Sequence, residues 1–211
     1  MNDTLFDVII GSDEAGKGEW LGPMTIAAVA INPQQSYFLI NQGVMDSKEL
    51  NVETIMRLTD IIKANCLVYH IITITPRRFN EFLKEVRKEG KSLNDILAWG
   101  HAKAISQVYK ELKAKGFAGK VKVVIDEFDQ LKMEKRLRRV IELSKLVVEQ
   151  KPRAEEEIAV AAASILARAA REVWIDRQSK KLGLDLRKIP PTEALSYKNS
   201  EEFAKISFLQ H

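Results

Sequence analysis

The chain reads as an α/β domain on a mixed sheet flanked by helices. Two observations predict this class. Apolar runs of strand length alternate with segments of helical period along most of the 211 residues. The first two apolar runs are joined by a hairpin-like loop, whereas the later ones are separated by helices, so antiparallel and parallel neighbours belong in one sheet. The order is strand, strand, helix, strand, helix, helix, strand, helix, strand, helix, which gives five strands and fits a strictly alternating dinucleotide fold poorly.

The elements follow in sequence. Residues 8–10 and 24–31 are apolar strands; between them Asp13-Glu14 leads into a turn with three glycines and a proline. "DSKELN" at 46–51 breaks the pattern, and Asn51 can cap a helix with Ile55, Leu58, Ile61 and Ile62 on one face. "CLVYHIITIT" is the third strand. Thr75-Pro76 opens a helix, with proline at its first position and Phe79, Phe82, Leu83 and Val86 on one side. The next helix runs from a cap at Ser92 to Gly116. "KVKVVIDEFD" is a strand that runs into carboxylates, residues 131–142 form a short basic helix, and "SKLVVEQ" is the fifth strand. "AEEEIAVAAASILARAAREVWIDRQSKKLG" is a long helix whose small residues require a close neighbour. Beyond Leu184 the chain is irregular through Pro190-Pro191, then forms a short helix at 201–208.

Composition sets limits on function. A hydrophobic fraction of 45% and a charged fraction of 29% describe an ordinary globular protein, and a net charge of +4 permits a polyanionic partner without requiring one. The single cysteine, Cys66, excludes an internal disulfide and a cysteine zinc site; its apolar neighbours suggest packing within a strand. The start lacks a basic n-region and a cleavage site, and the apolar run 158–170 contains Arg168 and is too short for a span. A cytoplasmic protein without membrane contact is expected. "GSDEAGKGEWLG" is not a GxGxxG turn, and its acids would repel a pyrophosphate.

Three acidic clusters carry the chemistry: Asp13-Glu14, Asp126-Glu127 with Asp129, and Glu155-Glu156-Glu157. If the strands bearing the first two are neighbours, Asp13 and Asp126 emerge side by side. Converging carboxylates need a cation, and hard oxygen donors favour Mg²⁺ or Mn²⁺. With only His70, His101 and His211, zinc fits badly. Spacing alone leaves the alternative equally open: solvated surface acids, with Glu155 to Glu157 favoured by the dipole in a helix's first turn.

Five ordered stretches carry a resemblance. "GSDEAGKGEWLGP" resembles the glycine-rich signature of the type 2 ribonucleases H, that is ribonucleases HII and HIII. "MDSKEL", "VVIDEFD", "KPRAE" and "AVAAASILAR" are similar to that family's later motifs, so the likeness covers about residues 7 to 176. "TPRRFNEF" and "SLNDILAWGHAKAI" resemble ribonuclease HIII more than HII, although HIII enzymes usually carry an extra N-terminal substrate-binding domain. The motif at residue 11 suggests a compact form without it. Lys17 departs from the arginine of HII and the threonine common in HIII.

The resemblance implies a ribonuclease H-like fold and metal-assisted hydrolysis of the RNA strand in RNA–DNA hybrids, leaving 5′-phosphate and 3′-hydroxyl ends. Incision at single ribonucleotides in DNA, as by ribonuclease HII, is the alternative. It further implies Asp13, Glu14, Asp126 and Glu155 as catalytic and metal-binding acids, with Glu156 as the substitute for Glu155 and Glu172 in a structural role. Gly16, Lys17 and Gly18 would approach the sugar-phosphate chain and a ribose 2′-OH, and Lys48 and Arg168 the phosphates. Trp20, Trp99 and Trp174 are read as packing residues, and Arg136, Arg138 and Arg139 as a solvated basic face. Residues 1–180 are expected to form the catalytic domain, 181–211 a segment packed on it, and the protein a monomer. The rival readings are a hybrid-binding module without catalysis, and a phosphotransferase or phosphatase acting on small substrates; the latter lacks a Walker-type loop.

Overall fold

The computed structural model describes residues 6–126, 133–137 and 146–209, except for the side chain of Glu155. Glu127, Asp129, Arg138 and Arg139 lie outside this set, as does most of the expected basic helix; 133–137 is helical. The sheet has five strands: β1 (Val8–Ala15), β2 (Met24–Ile31), β3 (Val68–Ile74), β4 (Val121–Asp126) and β5 (Leu146–Lys151). Their order is β3-β2-β1-β4-β5, with β1 antiparallel to β2, β2 antiparallel to β3, and β1, β4 and β5 mutually parallel. The mixed sheet expected from the hairpin start is present.

Helices cover both faces. One face carries α3 (Pro76–Lys88) and α4 (Leu93–Ala114), packed on Val8, Ile10, Ile26 and Val123. The other carries α2 (Val52–Asn65) and the long α5 (Ile158–Leu182), whose alanines meet Ala27, Val29 and Ile31. The close neighbour demanded by those small residues is β1. A Cβ on Gly11 would lie 2.1 Å from the Ala159 carbonyl carbon, so only glycine permits this approach. Thr25 then pins β2 to the same helix by donating to the Ala167 carbonyl at 2.8 Å.

Local chemistry sets the helix ends. Asn51 accepts from the Thr54 amide at 2.8 Å, Thr75 caps α3 with Pro76 in its first turn, and Gly183 closes α5 at φ 66°. Several expectations change. Residues 33–41, not expected to be helical, form α1 (Pro33–Asn41), closed by a reciprocal capping box between Asn32 and Gln35. Asp13 and Glu14 lie within β1 rather than past the end of an apolar run at 8–10, because the strand continues to Ala15 opposite Thr25. Residues 154–156 form a 3₁₀ turn after Arg153 at φ 54°, so the helix begins at Ile158 and the three glutamates precede it. Cys66 caps α2 instead of joining the strand.

The C-terminal segment contains 3₁₀ turns and the short α6 (Pro191–Ala194), not a helix at 201–208. Its apolar residues Leu186, Ile189, Phe203 and Ala204 cluster with Ile175 at the end of α5 and with Trp20 and Leu21. Residues 203–205 run antiparallel to 20–22: the Gly22 amide donates to Phe203 O at 2.8 Å and the Lys205 amide to Trp20 O at 2.7 Å. Trp20 packs edge-on against Phe203 and Trp99 against Phe82, and Trp174 joins the same C-terminal cluster, so the tryptophans are packing residues as expected. No described helix is long and apolar enough to cross a membrane.

Candidate active site

The last paired rung between parallel β1 and β4 is Ser12 with Ile125, so Asp13 and Asp126 follow it directly at the same sheet end. Side chains alternate along a strand. Gly11 abuts Ala159 of α5 and Val124 packs with Val160, so Asp13 and Asp126, two residues further along each strand, emerge on the α5 face. Ser12 and Glu14 point the other way and both meet His101 of α4. The two adjacent carboxylates are thus directed to opposite faces of the strand.

Their environments differ accordingly. Burial, then repulsion from Glu14 and Asp126, holds the Asp13 carboxyl well above its ordinary range, and Lys48 only partly opposes this. Burial alone would raise Glu14 too, but the hydrogen bond and charge of His101, with Lys17, bring it below its usual range. Its oxygens are divided: Oε2 lies 3.1 Å from His101 Nε2, and Oε1 lies 3.4 Å from Lys17 Nζ.

These acids line a cleft of about 670 Å³ walled by Lys17, Lys48, Arg168, Arg171 and Glu172. Gly16 adopts φ +79°, and a Cβ there would lie 2.4 Å from the Pro23 carbonyl oxygen; Gly18 stands in open space. Lys48 sits on a 3₁₀ turn, Ser47–Glu49, with its side chain 84% exposed. That turn is tied to α5 by a hydrogen bond from Ser164 Oγ to Ser47 Oγ, while Arg168 Nη1 donates to the Ser47 and Leu50 carbonyls. Arg168, expected at a phosphate, is here bound to the turn that presents Lys48.

Four further residues shape the cleft and were not read from the sequence: Ser47, Ser164, His101 and Arg171. Arg171 reaches Glu19, the Leu21 carbonyl and Glu172, and Arg187 reaches Glu172 at 2.7 Å, so Glu172 is held in an ion-pair network. A polar residue inside an apolar helical stretch was the available signal for His101 and Ser164.

The donor set is oxygen-rich, and Asp13 is buried beside Glu14 and Asp126, whose charges oppose its own; both fit a hard divalent cation. Among the described residues no three His, Cys, Asp or Glu side chains gather closely enough to enclose a metal ion. The side chain of Glu155 lies outside that set.

The model of the family Ribonuclease HII matches residues 10–205. The chain belongs to the ribonuclease HII family. Within it, the likeness to ribonuclease HIII holds: the chain is 41% identical over 181 residues to Ribonuclease HIII of Protochlamydia amoebophila, covering 85% of this chain and 56% of that protein. It is 38% identical over 162 residues to Ribonuclease HIII of Chlamydia pneumoniae, covering 76% and 51%. The chain therefore spans about half the length of the curated relatives it matches. Among solved structures, Bst-RNase HIII in complex with Mn²⁺ superposes with a TM-score of 0.79 at 24% identity, over 97% of this chain and 68% of that one, which shows the ribonuclease H-like fold.

Proposed function

We propose that the chain is an endoribonuclease that hydrolyses the RNA strand of RNA–DNA hybrids with Mg²⁺ or Mn²⁺, leaving 5′-phosphate and 3′-hydroxyl ends. The observation that carries this reading is the pair Asp13 and Asp126, at the ends of adjacent parallel strands on one face, in a cleft lined by Lys17, Lys48, Arg168 and Arg171. Asp13 and Asp126 would hold the cation most directly, with Glu14 and Glu155 completing its shell. When bound, it would offset their charge, polarise the scissile phosphate and acidify a water.

The protein's own groups do the rest. Lys48 extends into solvent at the cleft, suited to a phosphate of the bound strand. The turn at Gly16 brings backbone close to the sugars, where a 2′-OH separates RNA from DNA. Arg168, Ser164 and Arg171 fix the two segments, 47–50 and 19–22, that frame the cleft. We assign catalysis to residues 1–180, with 181–211 as a segment that packs on it, and take the protein to act as a cytoplasmic monomer.

Cutting within runs of ribonucleotides is favoured over incision at a single one. The resemblance implies arginine in ribonuclease HII where this chain has Lys17, which lacks arginine's planar fork. The test is the cleavage pattern in Mg²⁺ on three end-labelled strands opposite DNA: all RNA, a four-ribonucleotide insert and one ribonucleotide. Efficient cutting of the first two, with 5′-phosphate products, is expected. No cutting of any in Mg²⁺ or Mn²⁺ rejects the enzyme, and equal rates on the last two reject the preference.

A further inference from the structure

Ser12, His101 and Glu14 form a buried polar chain behind the cleft. The residue types are those of a hydrolase relay, but Ser12 is fully buried in the sheet and its hydroxyl also reaches the Ala27 carbonyl at 2.8 Å, so no substrate can approach it. What the chain of contacts does is fix a histidine. His101 is 1% exposed, its Nδ1 lies 2.8 Å from Ser12 Oγ and its Nε2 lies 3.1 Å from Glu14 Oε2. The helix that carries it is seated closely: a Cβ on the preceding Gly100 would lie 2.0 Å from Ile26 Cδ1. Turning the ring would break hydrogen bonds at both nitrogens in a dry site, where an unsatisfied group is costly.

We infer that His101 is a positioning residue for Glu14. It draws Oε2 away from the cleft and leaves Oε1 facing it beside Lys17, so Glu14 joins the acidic centre as a one-oxygen donor of fixed direction. A glutamate has more side-chain freedom to lose than an aspartate, which gives a group that orients it a larger effect. The inference rests on the metal-dependent reading above.

The test uses the full chain and four forms: wild type, His101→Gln, His101→Asn and His101→Leu. Mn²⁺ binding is followed by the electron paramagnetic resonance signal of the free ion, alongside hybrid cleavage against metal concentration and hybrid affinity in EDTA. The longer glutamine amide can donate near the position of Nε2, whereas asparagine reaches only the Ser12 side and leucine neither. Asparagine and leucine should weaken Mn²⁺ binding by about 10- to 100-fold, with glutamine close to wild type and hybrid affinity in EDTA unchanged in all four. Wild-type Mn²⁺ affinity in the asparagine form, or equal loss in the glutamine and asparagine forms, overturns the positioning role while leaving the enzyme reading intact. A wild type that neither binds Mn²⁺ nor cuts the hybrid overturns both. The unmodified protein gives an independent readout by ¹⁵N-histidine resonance: His101 Nε2 should shift when Mg²⁺ is added, and an unmoved signal overturns the inference.

Discussion

Replacing Lys205 by methionine should change how stability depends on pH. Lys205 is fully buried, and burial, then the charge of Arg171, with Glu19 opposing, lowers its pKa from 10.5 to about 7. Between those values the unfolded chain binds more protons than the folded one, so this lysine makes stability rise with pH; below pH 7 its full cost persists. The slope is about 1.4 kcal/mol per pH unit, and the whole interval corresponds to about 5 kcal/mol. That figure is an upper bound, because Nζ donates to the Gly22 carbonyl at 2.6 Å and lies 5.8 Å from the Phe79 ring centroid, and both contacts favour the charged form. Methionine keeps the bulk and loses the charge. It also leaves the Gly22 carbonyl without its donor, a pH-independent cost of about 1–3 kcal/mol. Urea denaturation of both proteins at pH 6, 7, 8 and 9 isolates the effect. Between pH 7 and pH 9 the difference should move in favour of wild type by up to about 3 kcal/mol. A difference constant to within about 0.5 kcal/mol across the range would refute the argument that this ammonium is desolvated.

Asp13→Asn and Asp126→Asn should each lower hybrid cleavage by several orders of magnitude, and Asp13→Asn should raise the melting temperature in EDTA by relieving repulsion; more than about a tenth of wild-type activity, only ~1.4 kcal/mol of barrier, would remove that residue from the metal-binding set. Gly11→Ala should destabilise the fold by about 1–3 kcal/mol or more in urea titrations, since its methyl meets backbone that has to move, and a neutral substitution would mean that α5 does not sit where described. Hybrid binding should weaken steeply with salt in filter-binding measurements, and Lys48→Ala should reduce the slope of log Kd against log salt by about one.

The sheet was legible because its strands are apolar and its hairpin carries glycine and proline, cues that depend only on neighbours in sequence. The pairing of Asp13 with Asp126 was legible only as a condition, since nothing local says which strands are adjacent. β1 was read too short: Ser12, Asp13 and Glu14 look like a turn to any propensity argument, and they remain extended because Ala28, Ala27 and Ile26 pair with them. The helix after Asn32 was missed although "NPQQ" holds its cap, first-turn proline and reciprocal glutamine, because Tyr37, Phe38 and Ile40 are exposed and blur its apolar face. His101 could be seen only as a polar residue in an apolar helix; its use depends on a strand 87 residues away.

The antiparallel contact between residues 203–205 and 20–22 has a consequence for biosynthesis. The Lys205 side chain that grips Gly22 is added 183 positions after the glycine-rich segment beside the acids. At roughly 5–20 residues per second that gap lasts about 10–40 s. Throughout it the nascent chain carries Asp13 and Glu14 close to a segment that lacks its Lys205 contact, so this side of the cleft is fully framed only after Lys205 has been added. Closing so long a loop carries an entropic cost that grows slowly with length, and the buried Phe203 ring beside the bridge helps to offset it.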